Sequence, residues 1–88
     1  MVIQIRTDDV VRFLQAHGFV RGYDASILDN PYQPYWNREQ AIELMIDEPS
    51  EWHDLDYLRF SWEERKGGRK ILENLIEWAA ANNLIAIR

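Results

Sequence analysis

The segment that most limits how this chain can fold is Asn30-Pro31-Tyr32-Gln33-Pro34, near its middle. Proline has no N–H and a fixed φ, so no helix continues through it, and the residue before a proline is pushed toward extended backbone. Residues 22–36 are therefore read as a loop. A connection of that length is unusual in a compact domain, and such loops are commonly functional or disordered. This one gathers Tyr23, Tyr32, Tyr35 and Trp36 beside Asp24 and Asp29.

Local patterns on either side give a coarse map. Val2-Ile3-Gln4-Ile5 is a short β-rich run. Thr7 reads as an N-cap, with Asp8 and Asp9 where the helix dipole favours acids. Val10, Phe13, Leu14 and His17 then share one helical face, and Gly18 is a natural terminator. After the loop, Asn37 with Gln40 three residues on suggests a capped helix bearing Ile42, Met45 and Ile46 and ending at Pro49. Leu58, Phe60 and Trp62 alternate with Tyr57, Arg59 and Ser61, which predicts a strand over Leu55 to Trp62. Lys66-Gly67-Gly68 interrupts the chain. Ile71, Leu72, Leu75, Ile76, Trp78 and Ala79 form the apolar stripe of a helix from Arg69 to about Asn82, and Leu84-Ile85-Ala86-Ile87 is a last strand.

The expected order is β-α-α-β-α-β in one domain, residues 1–88. Its final three elements read as a right-handed βαβ unit. The expected class is α/β: a two-layer arrangement of a three-stranded, largely parallel sheet with about three helices. The alternative is a mostly α-helical bundle. The sheet would bury Ile3, Ile5, Ile85 and Ile87 and show Gln4, Arg6, Ala86 and Arg88 on an open face.

Composition narrows the function. A chain of 88 residues buries only about 60–65% of its unfolded surface. There are no cysteines, so neither disulfides nor thiolate metal sites are available, which fits a reducing compartment. No apolar run approaches the roughly 20 residues that span a bilayer, and the first residues lack the pattern of a signal peptide, so cytoplasmic residence is expected. The net charge is −5. Between Glu39 and Glu64 nine acids face a single base, Arg59. That balance opposes general nucleic-acid binding, which needs cations against phosphate, and suits a partner with a basic surface.

No catalytic motif is present. Glu51-Trp52-His53-Asp54 offers metal- or proton-handling groups, but within too short a span to specify a site. Thr7, Ser26, Ser50 and Ser61 lie outside any Gly-x-Ser-x-Gly elbow. Gly67-Gly68 beside Lys66, Arg69 and Lys70 lacks the complete pattern of a phosphate loop, so a turn requirement explains it better. No enzyme activity, metal or cofactor is expected. Arg6, Arg59, Arg88 and the cluster at 65–70 supply the alternative of a nucleic-acid-associated accessory domain.

Two family resemblances bear on this. In length, element order and acidic second helix the chain resembles the barstar family, intracellular inhibitors of a secreted ribonuclease, and Ile71 to Ile87 is similar to that family's closing helix and strand. Counted from Pro31, Glu39 and Glu43 fall where the family's inhibitory helix bears its acids, although the family's tryptophan–acid pair stands here as Ile42-Glu43. Phe13-Leu14-Gln15, Glu48-Pro49-Ser50, Asp54-Leu55 and Trp78-Ala79-Ala80-Ala81-Asn82 resemble segments of the immunity proteins against DNase bacteriocins. That family is all-helical and has a paired tyrosine where this chain has Tyr57 alone. Small acidic phage inhibitors of bacterial defence are similar at the same level. These resemblances imply a non-enzymatic inhibitor or immunity-type protein, bacterial or phage, that masks a basic, nuclease-like site. The residues expected to make the contact are Asp24, Asp29, Tyr32, Tyr35, Trp36, Glu39, Glu43 and Asp47.

Overall fold

Ile3–Arg6 forms the first strand, β1, and lies at the centre of a sheet with a partner on each side. The computed structural model describes residues 2–22, 32–40, 42–61 and 67–88. Within them β1 is followed by α1 (Thr7–Ala16), β2 (Val20–Arg21), β3 (Tyr32–Asn37), β4 (Ile42–Asp47), β5 (Trp52–Asp54), α2 (Leu55–Ser61), α3 (Gly68–Ala81) and β6 (Ile85–Ile87). The strands form two three-stranded sheets, in the orders β5-β1-β6 and β2-β3-β4, and every pairing is antiparallel. The protein is thus a small α+β fold, and both the largely parallel sheet and the helical bundle are corrected.

The first correction concerns residues 55–62. Leu55 and Leu58 lie three apart and both are buried, while Tyr57 is exposed, so the segment forms helix α2 through Ser61. Leu58 fits an i, i+3 pattern as well as it fits alternation, and a window this short does not separate the two periods. The strand lies just upstream, at Trp52–Asp54. β5 and β6 do run parallel to each other, but β1 sits between them and pairs antiparallel with both. The inferred parallel contact is therefore absent.

The second correction concerns residues 37–48. Ile42, Leu44 and Ile46 are buried and alternate with Glu43, Met45 and Asp47, which is the period of a strand. Asn37 does make the bond that suggested a cap, since its Oδ1 accepts the Gln40 N–H at 3.0 Å. Here that bond tightens the turn of the β3–β4 hairpin. The end of the expected loop is itself strand β3, with Pro34 inside it. The Pro34 carbonyl accepts the Gly22 N–H at 2.7 Å, so the backbone of Pro34 faces the β2 side. β2 pairs through only two residues, Val20 and Arg21, so the missing donor falls beyond its ladder.

Helix ends follow the sequence more closely. Gly18 (φ 84°) and Asn83 (φ 57°) occupy the left-handed position after α1 and α3. Phe19 N–H then bonds to Leu14 O and Leu84 N–H to Ala79 O, both at 2.9 Å, closing the same type of termination twice. Thr7 differs from expectation. It is the first helical residue, its hydroxyl makes no cap, and it turns instead toward β5.

One apolar cluster serves both sheets. Ile5, Val10, Phe13, Leu14, Leu58, Leu72 and Leu75 join Phe19, Tyr35, Leu44 and Ile46 in it. Each fully buried side chain of this size contributes about 1.5–3 kcal/mol relative to exposure. The burial of Ile5 on β1 leaves Gln4 and Arg6 facing outward, as the alternation requires. The expected burial of all four isoleucines is corrected: Ile85 is half-buried, and the cross-strand pair Ile3 and Ile87 at the end of the sheet is 44% and 63% exposed.

Candidate functional site

The β3–β4 register decides which expected contact residues meet. Trp36 pairs with Glu43, and across the other edge Trp36 pairs with Val20. These three form one row on the outward face. Val20 is 64% exposed and Trp36 40%, while Glu43 is also exposed. The Arg38 guanidinium lies over the Trp36 ring, 4.9 Å from its centroid. The next pair on that face is Pro34 with Met45, both half-buried. Tyr32 pairs in register with Asp47, and Glu39 is exposed in the turn. Trp36, Glu43 and Asp47 thus share a strand face, although the sequence suggested a helix for the two acids.

Tyr35 is separated from them. It points into the core with 2% exposure, and its hydroxyl donates to Glu48 Oε2 at 2.5 Å. Arg21 grips the same carboxylate through Nε at 2.9 Å and Nη2 at 2.8 Å. The Arg21 hydrogen bonds hold the Glu48 carboxyl below its usual range. Burial, then the neighbouring Glu48, pushes the Tyr35 phenol up to about 12. This trio ties β2 and β3 to the turn after β4. Asp24 and Asp29 lie outside the described residues, as do Arg65 and Lys66 of the basic cluster.

The Glu51-Trp52-His53-Asp54 run is dispersed by the strand's alternation. Glu51 pairs with Arg6 at 2.8 Å, and Asp54 Oδ1 accepts from Gln4 Nε2 at 2.7 Å. His53 points inward, opposite Ile5, and is 4% exposed. Its protonation follows from its partners. The Thr7 hydroxyl donates its one proton to the Ser50 carbonyl, so its 2.8 Å contact with His53 Nδ1 requires Nδ1 to be the donor. His53 Nε2 then accepts the Asp47 N–H at 3.3 Å. Both nitrogens are engaged and the ring is neutral. Burial holds its pKa below the ordinary imidazole value, against the opposing charges of Asp47 and Asp54. A ring committed in this way has no free lone pair with which to accept a substrate proton. It links the start of α1, the end of β4 and β5. Sequence reasoning missed this bridge, because the Thr7–His53 contact spans 46 residues.

On the outward face of the first sheet, Arg6 and Arg88 both lie over Trp52, at 4.5 and 4.6 Å from its centroid. Trp52 also lines a cleft of about 230 Å³ with Asp47, Ser50, His53, Asp54 and Tyr57. Asp47 belongs both to this cleft and to the outward face of the second sheet. A second cleft of about 360 Å³ lies between Gln40 and Ile42 on one side and Gly67, Lys70, Ile71 and Asn74 on the other. Gly67 has φ 84° just before α3, which accounts for a glycine there without a bound phosphate.

Among the described residues no helix is long and apolar enough to cross a membrane, and no group of three or more His, Asp or Glu side chains is placed to hold a metal ion. The chain matches no protein-family model, no curated protein and no solved structure.

Proposed function

We propose that this chain is a non-enzymatic protein-binding domain that masks a basic, nuclease-like site on its partner, in the manner of the small acidic inhibitors it resembles. The observation behind this reading is the Val20–Trp36–Glu43 row on the outward face of β2-β3-β4. An exposed tryptophan beside an exposed aliphatic residue gives an anchor with large contact area, and tryptophan is prominent among residues that dominate binding energy. Glu43 pairs directly with Trp36, Glu39 is exposed in the adjoining turn, and Asp47 lies on the same face at the far end of the ladder. Acids in such positions speed encounter with a basic surface and select against acidic ones.

The test is direct. The partner captured from native extract by the wild-type chain is titrated with wild-type, Trp36→Ser and Glu39→Lys/Glu43→Lys proteins at two salt concentrations. Trp36→Ser is expected to weaken binding at both. The charge reversal is expected to weaken it chiefly at low salt. Unchanged affinity and unchanged salt dependence for both variants would overturn the reading.

The nucleic-acid alternative has one observation in its favour, the pair of arginines at Trp52. Arg6 is already matched by Glu51, and both guanidiniums lie over the ring on which a base would stack. A gel-shift titration at low salt separates the readings, because tight RNA or DNA binding would favour this second one.

A further inference from the structure

We propose that the cleft between β4, β5 and α2 seats the guanidinium of an arginine side chain presented by the protein partner. This inference rests on the docking of that partner on the second sheet and names the group it would insert at the sheet's edge.

Size is the first argument. At about 230 Å³ the cleft is smaller than the roughly 300–1,000 Å³ of sites that enclose whole small-molecule ligands, so it suits one inserted side chain. Charge is the second. Asp47 and Asp54 enter from different strands, and His53 between them is kept neutral by its two hydrogen bonds. Among the described residues, the ion pairs made by the chain's own cations go to Glu51, Asp9, Glu48 and Glu73, and none to Asp47 or Asp54. Both carboxylates are oriented in advance. Asp47 Oδ2 accepts the Ser50 hydroxyl at 2.6 Å, and Asp54 Oδ1 accepts from Gln4. Shape is the third argument. Trp52 and Tyr57 supply aromatic walls, and a guanidinium combines planar stacking with a fork of donors for carboxylates, which a metal ion or an ammonium does not.

Arg6 and Arg88 on Trp52 both inform and limit this picture. They show that the indole already accepts guanidiniums within the chain, and they occupy space over its ring. The incoming group therefore meets the carboxylates and the Tyr57 side of the cleft. Glu51 offsets the charge of Arg6 beside it. Asp47 also places the cleft at the end of the outward face that bears Trp36 and Glu43, so a partner seated there reaches it without crossing the molecule.

The experiment titrates the full chain with N-acetyl-arginine amide at low salt, followed by amide and indole chemical shifts. N-acetyl-citrulline amide and N-acetyl-lysine amide serve as comparisons. Saturable shifts at Trp52, Ser50 and Asp54 are expected with the arginine derivative, and none with the neutral citrulline. Asp47→Asn and Asp54→Asn should each weaken binding about fivefold, the size of a partly exposed ion pair. Absence of saturable shifts, equal shifts with citrulline, or unchanged binding in both variants would overturn the proposal. Equal affinity for the lysine derivative would overturn the guanidinium assignment. If Asp54→Asn loses its native spectrum along with the Gln4 contact, Asp47→Asn and the citrulline comparison still decide. The two readings fail separately. Trp36→Ser should leave the arginine titration unchanged, and a missing arginine response does not alter what Trp36→Ser does to partner binding.

Discussion

The outward faces of β5-β1-β6 and of β2-β3-β4 are both three strands wide, but they dispose of their polar and aromatic groups differently. On the first, Gln4 bonds to Asp54, Arg6 pairs with Glu51, and Trp52 lies under two guanidiniums. On the second, Trp36 and Val20 face outward with one arginine over the indole, and Glu43 stands opposite. The first face is matched largely within the chain, apart from the exposed Val2 and the edge at Trp52 and Asp54 that borders the cleft. The second leaves an exposed tryptophan and valine beside an exposed acid, and that difference is what supports proposing it as the binding surface.

The comparison can be broken from the inside first. Leu44→Ala empties a fully buried site under the second sheet, and Ile5→Ala does the same under the first. Each is expected to cost about 2–5 kcal/mol. Because one apolar cluster spans both sheets, urea unfolding followed by tryptophan fluorescence and by circular dichroism should stay coincident in both variants. Separate transitions would show that the sheets unfold independently.

His53→Gln comes next, at about 1–3 kcal/mol, because it disturbs a buried donor and a buried acceptor together. Its pH signature is specific. The native pKa of His53 is depressed, so the unfolded chain binds the proton first as pH falls. The stability tied to the neutral ring is complete above the ordinary imidazole value. It is lost as pH falls below that value toward the lower native one. Urea midpoints between pH 7 and pH 5 should therefore fall more steeply in the wild type than in His53→Gln.

Tyr35→Phe removes one bond to a carboxylate that Arg21 still holds, and about 1 kcal/mol is expected. Trp36→Ser should cost no more than about 1 kcal/mol of stability, the span of strand propensities, while having the largest effect on partner binding. A large loss of stability on Trp36→Ser would mean that the second face is as self-satisfied as the first.

Much of the first sheet was legible in the residues. The alternation of Ile3, Ile5, Ile85 and Ile87 marked its strands, and the stripe from Ile71 to Ala79 marked α3. Gly18 and Asn83 marked helix ends through their tolerance of positive φ. The rest depended on partners distant in sequence. Trp52–Asp54 is too short to announce itself, and only pairing with β1 makes it a strand. Ile42, Leu44 and Ile46 fit alternation, while Ile42, Met45 and Ile46 fit a helical face. The hairpin partner Tyr32–Asn37 settled the period, and its proline had marked that partner as loop. For the candidate site, the residue types on the second sheet were legible, but their grouping was not. The buried place of Tyr35 follows from a register that no local pattern records.

The central position of β1 also sets an order of assembly. Its two neighbours, β5 and β6, lie far along the chain, at residues 52–54 and 85–87. During synthesis the first strand must wait until residues 52–54 for its partner on one edge and until residues 85–87 for its partner on the other, whereas the β3–β4 hairpin closes over a short turn. Loop closure over long separations is slow, so the hairpin sheet is the natural early structure and the N-terminal sheet the late one. Until β6 emerges, one edge of β1 stays open beside the apolar side chains of Ile3 and Ile5, an unpaired strand edge of the kind that promotes aggregation of a nascent chain.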